Sequence, residues 1–173
     1  MNAHTLRAGV KPMASYEDLQ EALARFGNAQ EKYWLDLERK ARQILEGLER
    51  YLGKSGEVTK FQDSVVPYVA LGEIIGDDFQ PISSPSKLPA FDTTLDFAIR
   101  VIVEKSTSSI TKVGIVIPVE MSKEDGELKL EMGERGSLRQ LAVPEEFNER
   151  HQTQLFDAIA DIILDRLSVS KFE

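Results

Sequence analysis

The stretch TLDFAIRVIVEKSTSSITKVGIVIPVEMSKEDGELKLEM, Thr94–Met132, decides the fold. It reads as two long apolar strands, Leu95–Val103 and Val113–Met121, and a shorter one, Leu128–Met132. Alternate side chains of a strand share a face, so Leu95, Phe97, Ile99, Val101 and Val103 point one way. Val113, Ile115, Ile117, Val119 and Met121 form the matching set. Facing these sets together restricts the register, because a slip of one residue would turn every side chain over. The register that sets Val103 opposite Val113 also sets Glu104 opposite Lys112, an opposite-charge cross-strand pair, and leaves Lys105–Thr111 as the loop. For the next hairpin, Met121 opposite Leu128 sets Glu120 opposite Lys129 around a Lys-Glu-Asp-Gly turn. Pro118 lacks a ladder donor, so a bulge or an unpaired stretch is expected there.

The other face of this hairpin carries Ala98, Arg100, Ile102, Gly114, Val116 and Pro118. That is more apolar than a solvated antiparallel face usually is. Either a helix or another chain is expected to cover it, which makes Ile102, Val116 and Arg100 candidate interaction residues.

Upstream, Ser15-Tyr-Glu-Asp18 has the spacing of a capping box and opens a helical segment, 15–53. Apolar residues follow at Leu19, Leu23, Phe26, Tyr33, Leu37, Ala41, Ile44, Leu48 and Tyr51, on one helical stripe. Trp34 widens that stripe and joins the interaction candidates. Gly27-Asn28 either starts a second helix or is tolerated within one long helix at about 1 kcal/mol. The segment is expected to pack on the sheet; a coiled-coil or helix-exchange arm is the alternative, although Tyr33, Ala41 and Tyr51 suit a long dimeric coil poorly.

Lys54–Thr59 reads as a polar turn and Val65–Ile75 as a strand, at an edge or starting after Pro67. Residues 76–92 read as a long irregular loop with Asp77-Asp78, Pro81, Pro85 and Pro89. Leu138–Val143 reads as a last strand. Pro144 is expected at the first helical position, with Glu145 and Glu146 in the first turn. The last helix, 144–168, presents Phe147, His151, Leu155, Ala158, Ile159, Ile162 and Leu167, with Ile163 beside them.

Composition narrows function. The chain has 173 residues, a net charge of −8 and no cysteine. Disulfides, thiolate metal sites and a cysteine nucleophile are excluded, and a reducing compartment is suited. No block is strongly basic, which argues against nucleic acid as a partner. No run approaches the roughly 18 apolar residues of a membrane helix. The first 14 residues hold no signal-like apolar run and are expected to form a loose tail before a single domain over 15–173. A GxxxxGK[ST] loop, a GxSxG elbow and zinc-site spacings are absent.

Among candidate sites, His4 falls in the tail and His151 reads as a boundary histidine. Ser106-Thr107-Ser108-Ser109 reads as a polar loop cap. Asp157, Asp161 and Asp165, spaced by four, line one helix face and could meet a basic partner. Glu73, Asp77, Asp78 and Asp92 are the carboxylates a divalent metal would need, without the spacing of a calcium loop.

The expected fold is α+β: an antiparallel β-meander of four to five strands over 65–143, packed with the N-terminal helical segment and the C-terminal helix. The expected function is a non-enzymatic cytoplasmic interaction module (adaptor, chaperone-like or inhibitor) that meets a protein partner or forms a homo-oligomer, with no cofactor and no membrane. One alternative is a small-ligand domain with a pocket between sheet and helices, lined by Tyr68, Phe79 and Phe97. The other is a metal-dependent enzyme using Asp77, Asp78 and Asp92.

Overall fold

The computed structural model describes residues 14–106, 109–134, 136–146 and 148–168. The chain falls into two units that divide between Tyr33 and Trp34. Most of the expected tail, together with Thr107, Ser108 and Phe147, lies outside the described residues.

One helix, α1, runs unbroken over Tyr16–Tyr51. Its start is the expected capping box: Asp18 accepts from the Ser15 amide at 2.7 Å and Ser15 Oγ accepts from the Asp18 amide at 3.1 Å. Gly27 does not break it, and open space surrounds the position where a Cβ would sit. In the first unit the apolar residues Tyr16, Leu19, Leu23 and Phe26 are all exposed. In the second unit Leu37, Ala41, Ile44 and Leu48 are fully buried. The expectation of a helix packed on the sheet is met by residues 37–48, within the second unit.

The main sheet has the order β4-β3-β6-β7-β8-β9, with β5 also on β6. Its strands are β3 (Val69–Ile75), β4 (Asp78–Pro81), β5 (Ala90–Phe91), β6 (Thr94–Glu104), β7 (Lys112–Glu124), β8 (Glu127–Met132) and β9 (Arg139–Pro144). A separate hairpin pairs β1 (Val58–Phe61) with β2 (Ser64–Pro67). The β6–β7 register is the one the inward sets require, from Leu95 opposite Met121 to Glu104 opposite Lys112.

Three expectations need correction. Pro118 causes no bulge and pairs in register with Ala98. Its carbonyl accepts from Gly133 N at 3.0 Å, on the side away from β6. The missing N–H faces the same way, beyond the end of β8, so no bond to β6 is lost. The β7–β8 hairpin closes two residues tighter than expected, with Glu124 opposite Glu127 and Met121 opposite Leu130. Asp125 (φ 52°) and Gly126 (φ 79°) form the two-residue turn whose positive φ values match strand twist. An even shift keeps the faces, so Leu128, Leu130 and Met132 stay buried. The strand read over 65–75 starts after Pro67, one of its two expected placements: β3 begins at Val69, and Pro67 ends β2. Finally, 76–92 is not structureless: it holds β4, a 3₁₀ turn at Pro85–Lys87 and β5. Gly76 (φ 65°) sits in the tight β3–β4 turn.

The C-terminal helix α2 (Glu149–Arg166) also starts later than expected. Asn148 caps it, accepting from the amides of Arg150 at 3.1 Å and His151 at 3.3 Å. Pro144 instead ends β9 opposite Glu127. An asparagine side chain that satisfies orphan amides outcompetes a proline that only tolerates their loss. Leu155, Phe156, Ile159, Ile162 and Ile163 are buried.

The two helical faces cover the odd-numbered side of β6 and β7. Leu95, Phe97, Ile99, Ile115, Ile117, Val119 and Met121 are at most 5 % exposed there. α1 meets α2 at Gly47, where the Phe156 ring occupies the space of a Cβ. Lys123 on β7 holds Asp36 of α1 at 2.6 Å and also pairs with Glu145. Burial alone would raise the Asp36 carboxyl, but the hydrogen bonds from Lys123 and Arg39 outweigh it and hold the group below its ordinary value.

Candidate functional site

At its Ile102 end the even-numbered face of β6 and β7 is covered by a hairpin and an aromatic ring and, among the described residues, by no helix. The β1–β2 hairpin and Phe79 of β4 lie against it. A Cβ at Gly114 would be 3.0 Å from the Phe61 ring, and one at Gly72 would be 2.5 Å from the Phe79 ring. Ile102 is only 4 % exposed, and its amide donates to the Tyr68 carbonyl at 2.8 Å. It is a packing residue, not a surface one. Arg100 lies between the two aromatics, its guanidinium carbon 4.7 Å from the Phe79 ring centre and 5.8 Å from that of Phe61. Its Nε and Nη2 are buried without a hydrogen-bond partner. The stack replaces polar partners with ring faces.

That arrangement gives a prediction with an unusual order. Arg100→Lys is expected to lose about 1–2 kcal/mol in urea unfolding, because a compact, strongly hydrated ammonium replaces a planar group that stacks. Arg100→Met is expected to stay within about 1 kcal/mol of the parent, since it fills the slot without a charge to desolvate. A Met variant weaker than the Lys variant would show that the charge itself stabilises the stack.

Where the β1–β2 hairpin meets the ends of β6 and β7, a cleft of about 660 Å³ opens, lined by Lys54, Glu57, Thr59, Tyr68, Glu104 and Lys112 among others. The cross-strand pair read from the sequence sits at its centre. One oxygen of Glu104 accepts from Tyr68 Oη at 2.6 Å, Thr59 Oγ1 at 2.9 Å and Lys112 Nζ at 2.9 Å. Lys112 also donates to Thr59. The Tyr68 hydrogen bond, then those of Lys112 and Thr59, pull the Glu104 carboxyl down to about 2. Lys54 lies 4.4 Å above the Tyr68 ring and pairs with Glu57 at 2.8 Å. That hydrogen bond holds the Lys54 ammonium above its ordinary value.

A carboxylate held this low stays ionised at neutral pH and is a weak proton acceptor. It locks the cleft. Its folded value lies below the ordinary 4.5, so its stabilising contribution is complete above 4.5 and is lost as the pH falls towards about 2. Stability measured from pH 6 down to pH 2 is expected to fall less steeply in Glu104→Gln than in the parent. Parallel curves would mean that the cluster is not coupled to folding.

The remaining candidates are scattered. Asp161 and Asp165 are bridged by Arg139 of β9, at 3.3 and 2.7 Å, and Asp157 accepts from Tyr51 Oη. The acidic helix face is thus engaged within the chain. The Val116 carbonyl accepts from Arg166 at 2.7 Å. Trp34 is half-buried. Phe97 faces the helices, whereas Tyr68 and Phe79 lie on the opposite side, so the three do not line one pocket. Asp77 lies in the β3–β4 turn, Asp78 opens β4 and Asp92 lies in the β5–β6 turn. No group of three or more His, Asp or Glu among the described residues is placed to hold a metal ion. Buried Nδ1 of His151 has no hydrogen-bond partner. The hairpin that closes the cleft escaped the sequence reading, because 54–67 shows no strong alternation and its turn residues Gln62 and Asp63, both at positive φ, include no glycine to mark them.

Among the described residues no helix is long and apolar enough to cross a membrane. Compared with known protein families, curated proteins and solved structures, the chain matches none.

Proposed function

We propose that this chain is a non-enzymatic protein-interaction module of the cytoplasm, working through the N-terminal half of α1. One observation carries the reading: Tyr16, Leu19, Leu23 and Phe26 are 74, 59, 70 and 64 % exposed on one helix stripe. Solitary exposed apolar residues are ordinary, but four large ones in register on one helix are the anchors of a helix-mediated contact. Lys54, Lys112, Lys123 and Lys129 are spent on internal pairs with Glu57, Glu104, Asp36 and Glu124, which supports binding over catalysis.

A photoreactive phenylalanine analogue at position 26 tests this in intact cells. It is expected to give a protein adduct that Leu23→Lys abolishes and that the same probe at Glu21, on the opposite helix face, does not give. An absence of any protein adduct from position 26 would overturn the reading. A second reading rests on the 660 Å³ cleft, whose Lys54, Tyr68 and Ser106 rim suits a small polar ligand. Its test is thermal stabilisation by a metabolite panel that is lost in Tyr68→Phe.

A further inference from the structure

Resting on the interaction reading above, we infer that the partner of the exposed α1 stripe is a second copy of this chain, paired antiparallel over residues 16–26. Three features of the segment point there. First, Tyr16 and Leu23 occupy the a positions of a heptad and Leu19 and Phe26 the d positions. Antiparallel helices layer a against d, so Tyr16 meets Phe26 of the other copy and Leu19 meets its Leu23, and all four residues are used in one register. Second, the flanking e and g positions are Gln20, Gly27, Ala22 and Ala29, none of them charged. Nothing there repels an identical helix, and the small residues let the backbones approach.

Third, the charges beside the g row select the direction. Asp18 and Arg25 both lie on that side. In the antiparallel register Asp18 of one copy stands at the height of Arg25 of the other, twice over by symmetry. Asp18 spends Oδ2 on the Ser15 cap and keeps Oδ1. A parallel pair would instead bring Asp18 beside Glu17 of its neighbour and lay the two positive helix ends side by side.

The stripe also sets the strength. Beyond Tyr33 the residues that continue it are buried in their own unit, so the pair is short. Eight large side chains, at very roughly 100–200 Å² each, bring it to the low end of specific interfaces, about 1,200 Å² in total. Association in the micromolar range is expected, and not a permanent dimer.

Sedimentation of the purified full chain between about 1 and 200 µM is expected to show a monomer–dimer equilibrium that Leu23→Lys weakens at least tenfold, with unchanged circular dichroism. The absence of cysteine makes direction directly readable. Mixed Leu19→Cys and Leu23→Cys chains are expected to give the 19–23 disulfide in excess over 19–19 and 23–23. Predominant 19–19 and 23–23 products would overturn the antiparallel pair. A chain monomeric throughout would overturn the second copy as partner. The interaction reading then stands or falls separately, on whether position 26 crosslinks to a different protein.

Discussion

Gly72→Ala is expected to destabilise the fold by about 3 kcal/mol, from a single added methyl group. Gly72 lies in β3, between β4 and the sheet centre, opposite Pro81 on one side and Ala98 on the other. A Cβ there would collide with the Gln80 carbonyl oxygen and come within 2.5 and 2.6 Å of the Phe79 ring. A ring can swing aside, but a backbone carbonyl moves only with its strand. The added methyl therefore either pushes β4 out of register or drives Phe79 off Arg100. Equilibrium urea unfolding gives the cost. Phe79→Ala in the Gly72→Ala background separates the causes: recovery of about 1 kcal/mol or more would assign the strain to the ring, and no recovery would assign it to the strand. A Gly72→Ala protein as stable as the parent would show that β4 is not held where it is described.

Gly47→Val is expected to cost a similar ~3 kcal/mol, through the contact of α1 with α2. Valine loses little or nothing in helix propensity relative to glycine, so the whole cost is steric. The Phe156 ring fills the space a side chain would need and is itself only 4 % exposed. It also stands 5.7 Å from the Tyr51 ring, which limits its escape. Phe156→Leu alone is expected to lose about 1–2 kcal/mol, yet to be tolerated better when Gly47 is already valine. A double-mutant cycle should return a coupling of about 1–2 kcal/mol; strict additivity would remove the ring as the cause.

Periodicity made the sheet centre legible and left its cover hidden. The β6–β7 register followed because both apolar sets are long and odd-numbered and because Glu104 and Lys112 fall opposite one another. The β8 register was missed by two residues because an attractive Glu120–Lys129 pair outweighed the Asp125-Gly126 turn signal. In the structure Lys129 pairs with Glu124 instead. Charge pairs on a surface are worth little, whereas the backbone of a two-residue turn is obligatory. The 76–92 stretch looked irregular because β4 and β5 are too short for alternation to register. The cleft was half legible: Glu104 and Lys112 were matched, but Thr59 and Tyr68 come from a hairpin that 54–67 did not betray. The exposure of 16–26 was not legible at all. An apolar stripe states which face of a helix seeks cover, not whether its own chain supplies it.

Pro118 has one more effect, on what can attach to this sheet. Unpaired strand edges invite another chain to add a strand, the route to aggregates and to strand-addition complexes alike. Prolines stand at three flanks of the main sheet: Pro81 ends β4, Pro144 ends β9, and Pro118 sits on the flank of β7 that β8 leaves uncovered. On that flank Gly133 and Arg166 already hold the carbonyls of Pro118 and Val116. A newcomer would meet missing donors and occupied acceptors. Strand addition along that flank of β7 is thereby disfavoured.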